Sequence, residues 1–345
     1  MKLIKTEEAV GSVLCHDITQ IIPGVVKDAV FRKGHVVTQE DIPVLLSVGK
    51  EHLYVWEKQE GMLHENEAAE VLRRVCQGRF LKASKPKEGK IELTAETDGL
   101  LKVDKEKLNA VNGLGQIVIA SRHGNFPVKK GDKVAGMRVV PLVIEEEKMQ
   151  KACEVAGKEP IFRILPYQKK KAGIVTTGSE VYYHRIEDKF TPVVIEKLKE
   201  CGVTEVKQIQ CNDDHEMITE AIQTLIEDGS DLIVCTGGMS VDPDDRTPLA
   251  IKNACTEVVT YGAPVLPGAM FMLAYCEKEG RQIPVMGLPG CVMYAKRTIF
   301  DLVLPRIMCD EKLHEKDFRL LGQGGLCLSC PVCTFPNCGF GKGGY

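Results

Sequence analysis

The chain has 345 residues and a formal charge of −3, so it carries no excess of positive charge to make nucleic acid or an anionic membrane its main partner. Hydrophobic residues at 44% and charged residues at 27% suit a globular protein, and no apolar run nears the roughly 18 residues of a membrane span. The opening MKLIKTEEAVGS places carboxylates where a secretory signal keeps its apolar core, so a cytoplasmic protein is expected.

Residues 1–80 read as a small, mainly β unit followed by a helix. Short apolar runs (GSVLCHDI, HLYVWE) alternate with turns, Trp56 reads as packing, and HENEAAEVLRRVCQG is a helix stopped by Gly78. Residues 81–170 read as a β-rich domain: KIELTAETDGLLKV, GQIVIASR and GDKVAGMRVVPLVI are strands, with Gly131-Asp132 at a turn of a small barrel or sandwich, and EEEKMQKACEVAG is a linking helix. The cluster Lys169-Lys170-Lys171 reads as a solvated linker.

From residue 171 to 310 strands and helices alternate, which predicts an α/β domain with a mostly parallel sheet. KAGIVTT, VTEVKQIQC, DLIVCT and IPVMGL are its strands. One helix spans about 190–201 and is closed by Gly202. Another carries the stripe Met217, Ile218, Ala221, Ile222, Leu225 and Ile226 behind a capping pair, Asp213 and Glu216. A last helix is expected from about Pro289-Gly290 to Met308. Residues 311–345 form a cysteine-rich tail.

In open α/β sheets ligands sit where the carboxyl ends of strands enter loops. Three such exits carry suggestive chemistry: Thr177-Gly178-Ser179, the run Thr236-Gly237-Gly238 with Ser240, and Leu288-Pro289-Gly290. Glycine lets backbone N–H groups approach an anion, and hydroxyls add donors. Asp242, Asp244 and Asp245 would repel a bare phosphate, so a divalent cation is required between them; magnesium binds in this way, through one or two carboxylates plus phosphate. His184 and His215 read as solvated polar residues rather than bases.

These blocks, taken in order over residues 171–308, resemble the molybdopterin-binding domain shared by the MogA, MoaB and MoeA/gephyrin families. GIVTTGSEV is similar to the family's strand followed by T-G-D-E-L, HRIEDKF to G-x-I-x-D-x-N, and the Gly-Gly loop to T-G-G followed by an aspartate. APVLPGAM and VMGLPGCVM are similar to the P-G-K-P and L-P-G-N-P blocks. The resemblance implies a three-layer fold, a molybdopterin ligand and magnesium-dependent chemistry. It puts Asp188 and Asp245 in catalytic positions, with Asp245 and Asp242 at the metal. It also adds Pro267 and Gly268 to the ligand-binding residues. The chain departs from the pattern at Ser179 (for Asp), Phe190 (for Asn) and Cys291-Val292 (for Asn-Pro). The β-rich residues ahead of the domain favour a divergent MoeA-like protein, and a homo-oligomer is expected.

Fourteen cysteines are present. Those scattered through the body, such as Cys201, Cys235 and Cys276, read as small buried hydrophobes. Cys327, Cys330, Cys333 and Cys338 form C-x2-C-x2-C-x4-C, which suits zinc or an iron–sulfur cluster.

The activity expected from the resemblance is that of a molybdopterin molybdenumtransferase, inserting molybdate into adenylylated molybdopterin with release of AMP. Two alternatives stand. One is a carrier or sensor that serves a client molybdo- or tungstoenzyme; the other is adenylyl transfer of the MogA type.

Overall fold

A computed structural model describes residues 2–22, 26–55 and 60–343; Trp56 lies outside them. The chain divides into two compact units, 1–96 with 103–122 and 131–163, and 97–102 with 123–130 and 164–345.

In the first unit, Lys2–Lys5 pairs antiparallel with His52–Val55, and Ile18–Ile22 with Val26–Phe31. The helix Asp41–Ser47 adds Ile42 and Leu45 to a small core of Leu14, Ile18, Val37 and Leu53. The helix Glu65–Cys76 starts at a capping box in which His64 and Glu67 satisfy each other's backbone N–H groups. Further on, a four-stranded sheet runs in the order Leu81–Ala83, Ile91–Ala95, Lys133–Val139, Ile117–Ser121. The region is rich in strands, with helices between them.

The second unit is built on a six-stranded sheet. Its strands are β1 (Lys171–Thr177), β2 (Glu205–Cys211), β3 (Leu232–Thr236), β4 (Glu257–Tyr261), β5 (Met272–Lys278) and β6 (Arg281–Leu288), in the order β2-β1-β3-β6-β5-β4. Helices α1 (Phe190–Glu200), α2 (His215–Glu227), α3 (Thr247–Ala254) and α4 (Ile299–Ile307) cover it. Successive strand residues face opposite sides, as the pleat requires. Ile174 and Val234 pack with Val194 and Leu198 of α1 and Phe300 and Val303 of α4, whereas Val175 and Ile233 pack with Ile222 of α2 and Ile251 of α3. The result is three layers.

The sheet is mixed, with three of its five strand pairings parallel. β1 pairs parallel with β2 and β3, and β3 with β6, but β5 pairs antiparallel with both β6 and β4. The cause is local. β5 and β6 are joined at Glu279-Gly280, both with positive φ (51° and 75°), a two-residue connection that only antiparallel neighbours can use.

Two further expectations are corrected. The last helix does not start at Pro289: a single 3₁₀ turn spans Gly290–Met293, and α4 begins after Thr298. Thr298 and Asp301 form a capping box there, and Asp301 is fixed by Lys197 Nζ at 2.7 and 2.9 Å and by Arg297 at 2.8 Å. Cys276, expected as an unpaired hydrophobe, forms a disulfide with Cys255. Cys201 and Cys235 are buried free thiols, and burial pushes Cys201 up to about 12.

Candidate functional site

The register aligns the carboxyl ends of four parallel strands. Thr177 lies opposite Cys211, Thr176 opposite Thr236, and Thr236 opposite Leu288. The loops leaving Thr177, Thr236 and Leu288 therefore emerge side by side along one edge. Gly268 joins them: it packs on the start of α4, where a Cβ would come within 2.4 Å of Ile299 Cγ2, and the Pro267 carbonyl accepts from the Ile299 amide at 3.2 Å.

Close packing of neighbouring strand exits accounts for the glycine pair. Gly237 has φ +90°, and a Cβ there would lie 2.5 Å from the Thr177 carbonyl oxygen. Thr177 Oγ1 is 3.1 Å from the Thr236 carbonyl and 3.2 Å from Thr247 Oγ1, tying the first loop to the second and to α3. Tyr261 adds a tie from the sheet's far strand, its hydroxyl donating to the Met239 carbonyl at 3.1 Å. Burial, with the charge of Asp245, raises the pKa of that phenol.

The aspartates divide into distinct roles. Asp188 accepts from the amides of Phe190 and Thr191 at 3.0 Å each with one oxygen, and from Gln208 Nε2 at 2.9 Å with the other. Burial alone would raise its pKa, but the hydrogen bonds from Thr191, the Phe190 amide and Gln208 together hold it below the usual value. Both of its oxygens thus serve the start of α1 and the adjoining strand. Asp245 accepts from the Ser240 amide at 2.9 Å, closing its own loop, while Asp242 and Asp244 are exposed.

Asp213 was expected as a helix cap, but Asp214 takes that place, accepting from the amides of Glu216 and Met217. Asp213 instead reaches across to the first loop and accepts from the Ser179 amide at 2.8 Å. It is the residue of this edge that reading the sequence missed. Only its position one residue beyond the exit of β2, at Asn212, hinted at it. The described residues hold no group of three or more His, Cys, Asp or Glu side chains arranged for a metal ion.

Thr236 Oγ1 is buried and has no hydrogen-bond partner among the described residues. In the third loop Leu288, Pro289 and Val292 are buried and Gly290 is exposed; burial raises the Cys291 thiol. His184 is exposed, but the Nδ1 of His215 is buried without a partner among the described residues, so His215 is not simply solvated. The tail cysteines do not converge: Cys330 and Cys333 are exposed, and Cys327 and Cys338 are half-buried.

These loops and the residues that tie them together make the carboxyl edge of the α/β sheet the candidate site. Residues 173–308 match the family described as "Probable molybdopterin binding domain", and residues 3–57 match a domain of unknown function. The molybdopterin-binding match extends over 136 of the chain's 345 residues. Curated relatives include a CinA-like protein of Mycobacterium sp. (strain MCS), 35% identical over 85 residues, which is 25% of this chain and 20% of that protein. Another is the CinA-like protein of Mycobacterium avium (strain 104), 34% identical over 95 residues, 28% of this chain and 22% of that one. The chain thus spans about a fifth of the length of the curated relatives it matches.

Among solved structures, the tungsten cofactor synthesizing protein MoaB from Pyrococcus furiosus is 22% identical with a TM-score of 0.32, covering 36% of this chain and 84% of that one. The protein CinA from Thermoplasma acidophilum is 15% identical with a TM-score of 0.33, covering 41% and 98%. These relatives are of CinA-like and MoaB type rather than MoeA proteins. No helix among the described residues is long and apolar enough to cross a membrane.

Proposed function

We propose that the carboxyl edge of the six-stranded sheet binds molybdopterin or its adenylylated form in a magnesium-dependent way, and that the protein acts on molybdopterin as a molybdenumtransferase-like enzyme. The observation that carries this reading is the pair of loop amides held by aspartates, Ser179 by Asp213 and Ser240 by Asp245, at the edge where Thr236 leaves a buried hydroxyl open. Backbone amides of this kind are phosphate donors. Each becomes available to a phosphate only when its carboxylate turns to a cation instead. Magnesium, if bound, would supply positive charge to offset that of the carboxylates and a phosphate. Asp245, Asp213 and the exposed Asp242 are the carboxylates that would hold it, and Asp188 holds the start of α1 in place.

In the full reaction the ligand is adenylylated molybdopterin, molybdate is the second substrate, and AMP leaves. No nucleophile from the chain is required, and the edge supplies orientation and charge. The test is saturation binding of molybdopterin and of its adenylylated form, with and without magnesium, followed by AMP release on addition of molybdate. Magnesium-dependent binding that Asp245→Asn weakens, with AMP release, is expected; no binding of either form sinks the reading.

A carrier of the finished cofactor is the second reading. It is favoured by the third loop, where Cys291 and the fully buried Val292 present no charged or amide side chain. Binding without AMP release would select it.

A further inference from the structure

The tail is not a loose appendage. Leu266 donates its amide to the Gly325 carbonyl, and the Cys327 amide donates back to the Leu266 carbonyl, both at 2.8 Å. Leu266 immediately precedes Pro267-Gly268 of the candidate site. Further along, Lys296 Nζ, in the loop after Gly290, donates to the Pro331 carbonyl at 2.8 Å. The guanidinium of Arg297 lies 5.2 Å from the Phe335 ring centre, and Phe335 packs on Phe126 and Phe340. Gly341 is wedged so that a Cβ would meet Leu302 at 2.4 Å. The four-cysteine segment is therefore clamped at both ends against the loops that shape the carboxyl edge.

From Phe318 to Tyr345 there is no Asp or Glu, while Lys296 touches the segment and Lys342 lies over the Phe126 ring at 5.6 Å. The chain bends inside the outer spacers: Ser329 takes φ +51° between Cys327 and Cys330, and the Asn337 amide closes on the Thr334 carbonyl at 2.7 Å between Cys333 and Cys338. Cys330 and Cys333 lie on the exposed stretch between the two half-buried end cysteines. The sulfurs do not form a chelating group as placed, so closing one requires residues 328–334 to fold toward the anchored ends.

We infer that Cys327, Cys330, Cys333 and Cys338 are a tetrathiolate site for a soft transition-metal ion, and that filling it stiffens the candidate site through the Leu266–Cys327 backbone bridge. Metal–sulfur bonds form as four S–H protons pass to buffer, with no change of oxidation state. The site does not depend on the identity of the ligand at the sheet edge.

The probe is Co²⁺, titrated anaerobically into the reduced full-length protein and read by thiolate-to-metal charge-transfer absorption. One ion per chain is expected, displaced by Zn²⁺. The double variant Cys330→Ser, Cys333→Ser should weaken binding by at least about a hundredfold. Both side chains are exposed, so its fold should persist, which an unchanged melting curve checks. Hydrogen exchange then reads the coupling: metal should slow exchange at the Leu266 and Cys327 amides in the wild type and not in the double variant. Absence of saturable thiolate absorption, or equal absorption in the double variant, overturns the metal site. Metal binding that leaves both amides unchanged overturns the coupling. Neither result depends on molybdopterin binding.

Discussion

The two ends of the six-stranded sheet use charge in opposite ways. At the amino end of the parallel strands lies a cavity of about 490 Å³ lined by Lys170, Asp231, Arg281, Asp310, Glu311 and Lys312 among others. There the carboxylates meet cations: Asp231 is 3.0 Å from Arg281, Glu311 is 2.7 Å from Arg306, and Asp310 pairs with Lys170. At the carboxyl end Asp213 and Asp245 hold backbone amides instead, and Thr236 keeps an unpartnered hydroxyl. The hollow at the amino end is thus one whose charges already cancel. Binding capacity follows from groups that a ligand can still satisfy, not from volume.

The largest effect should come from removing the support of the carboxyl end. Lys197 and Asp301 form a buried pair, with side chains 9% and 4% exposed. Asp301→Ala strands the lysine and uncaps α4, so unfolding in urea should show a loss of about 3–5 kcal/mol. Next, Gly237→Ala forces a side chain onto the Thr177 carbonyl at positive φ. A loss of about 1–3 kcal/mol is expected, together with loss of ligand binding, because the first two loops must separate.

A sharper division lies within the second loop. Asp245→Asn should weaken magnesium-dependent ligand binding at least tenfold, about 1.4 kcal/mol, whereas the exposed Asp244→Asn should leave it unchanged. Equal effects would reduce the loop to diffuse charge.

Acid titration gives a smaller signal. Because the folded pKa of Asp188 lies below its unfolded value near 3.8, its contribution is complete above that value and is lost as pH falls through the folded one. Asp188→Asn should therefore flatten the acid limb of stability, measured by urea midpoints between about pH 5 and pH 2. The smallest effect belongs to the amino end. Arg281 is half-exposed, so Arg281→Ala should change stability by no more than about 1 kcal/mol and ligand affinity not at all. A loss of affinity there would move the site to the other end of the sheet.

Local patterns were legible without coordinates. The stripe from Met217 to Ile226 is the buried face of α2, with Ile218, Ala221, Ile222, Leu225 and Ile226 all in the core. The glycine-rich exits of β1 and β3 could be read because a strand period of two breaks at residues suited to positive φ. The chain's own numbering could not tell Asp213 from Asp214. Both fit a cap, and the choice depends on which one finds the Ser179 amide from a different strand exit. The break before α4 was hidden in the same way, since its capping carboxylate is held by a lysine 104 positions away.

Sequence by itself determined what depends on neighbours along the chain: the alternation of strand and helix, the apolar faces, the flexible exits and the spacing of the tail cysteines. Tertiary structure alone decided the strand order that brings Thr177, Thr236 and Leu288 to one edge and the seating of Cys327 on Leu266. These are contacts between distant segments. Periodicity and turn chemistry report only which face of an element seeks burial, whereas a partner far along the chain is selected by the packing and hydrogen bonds of the whole unit.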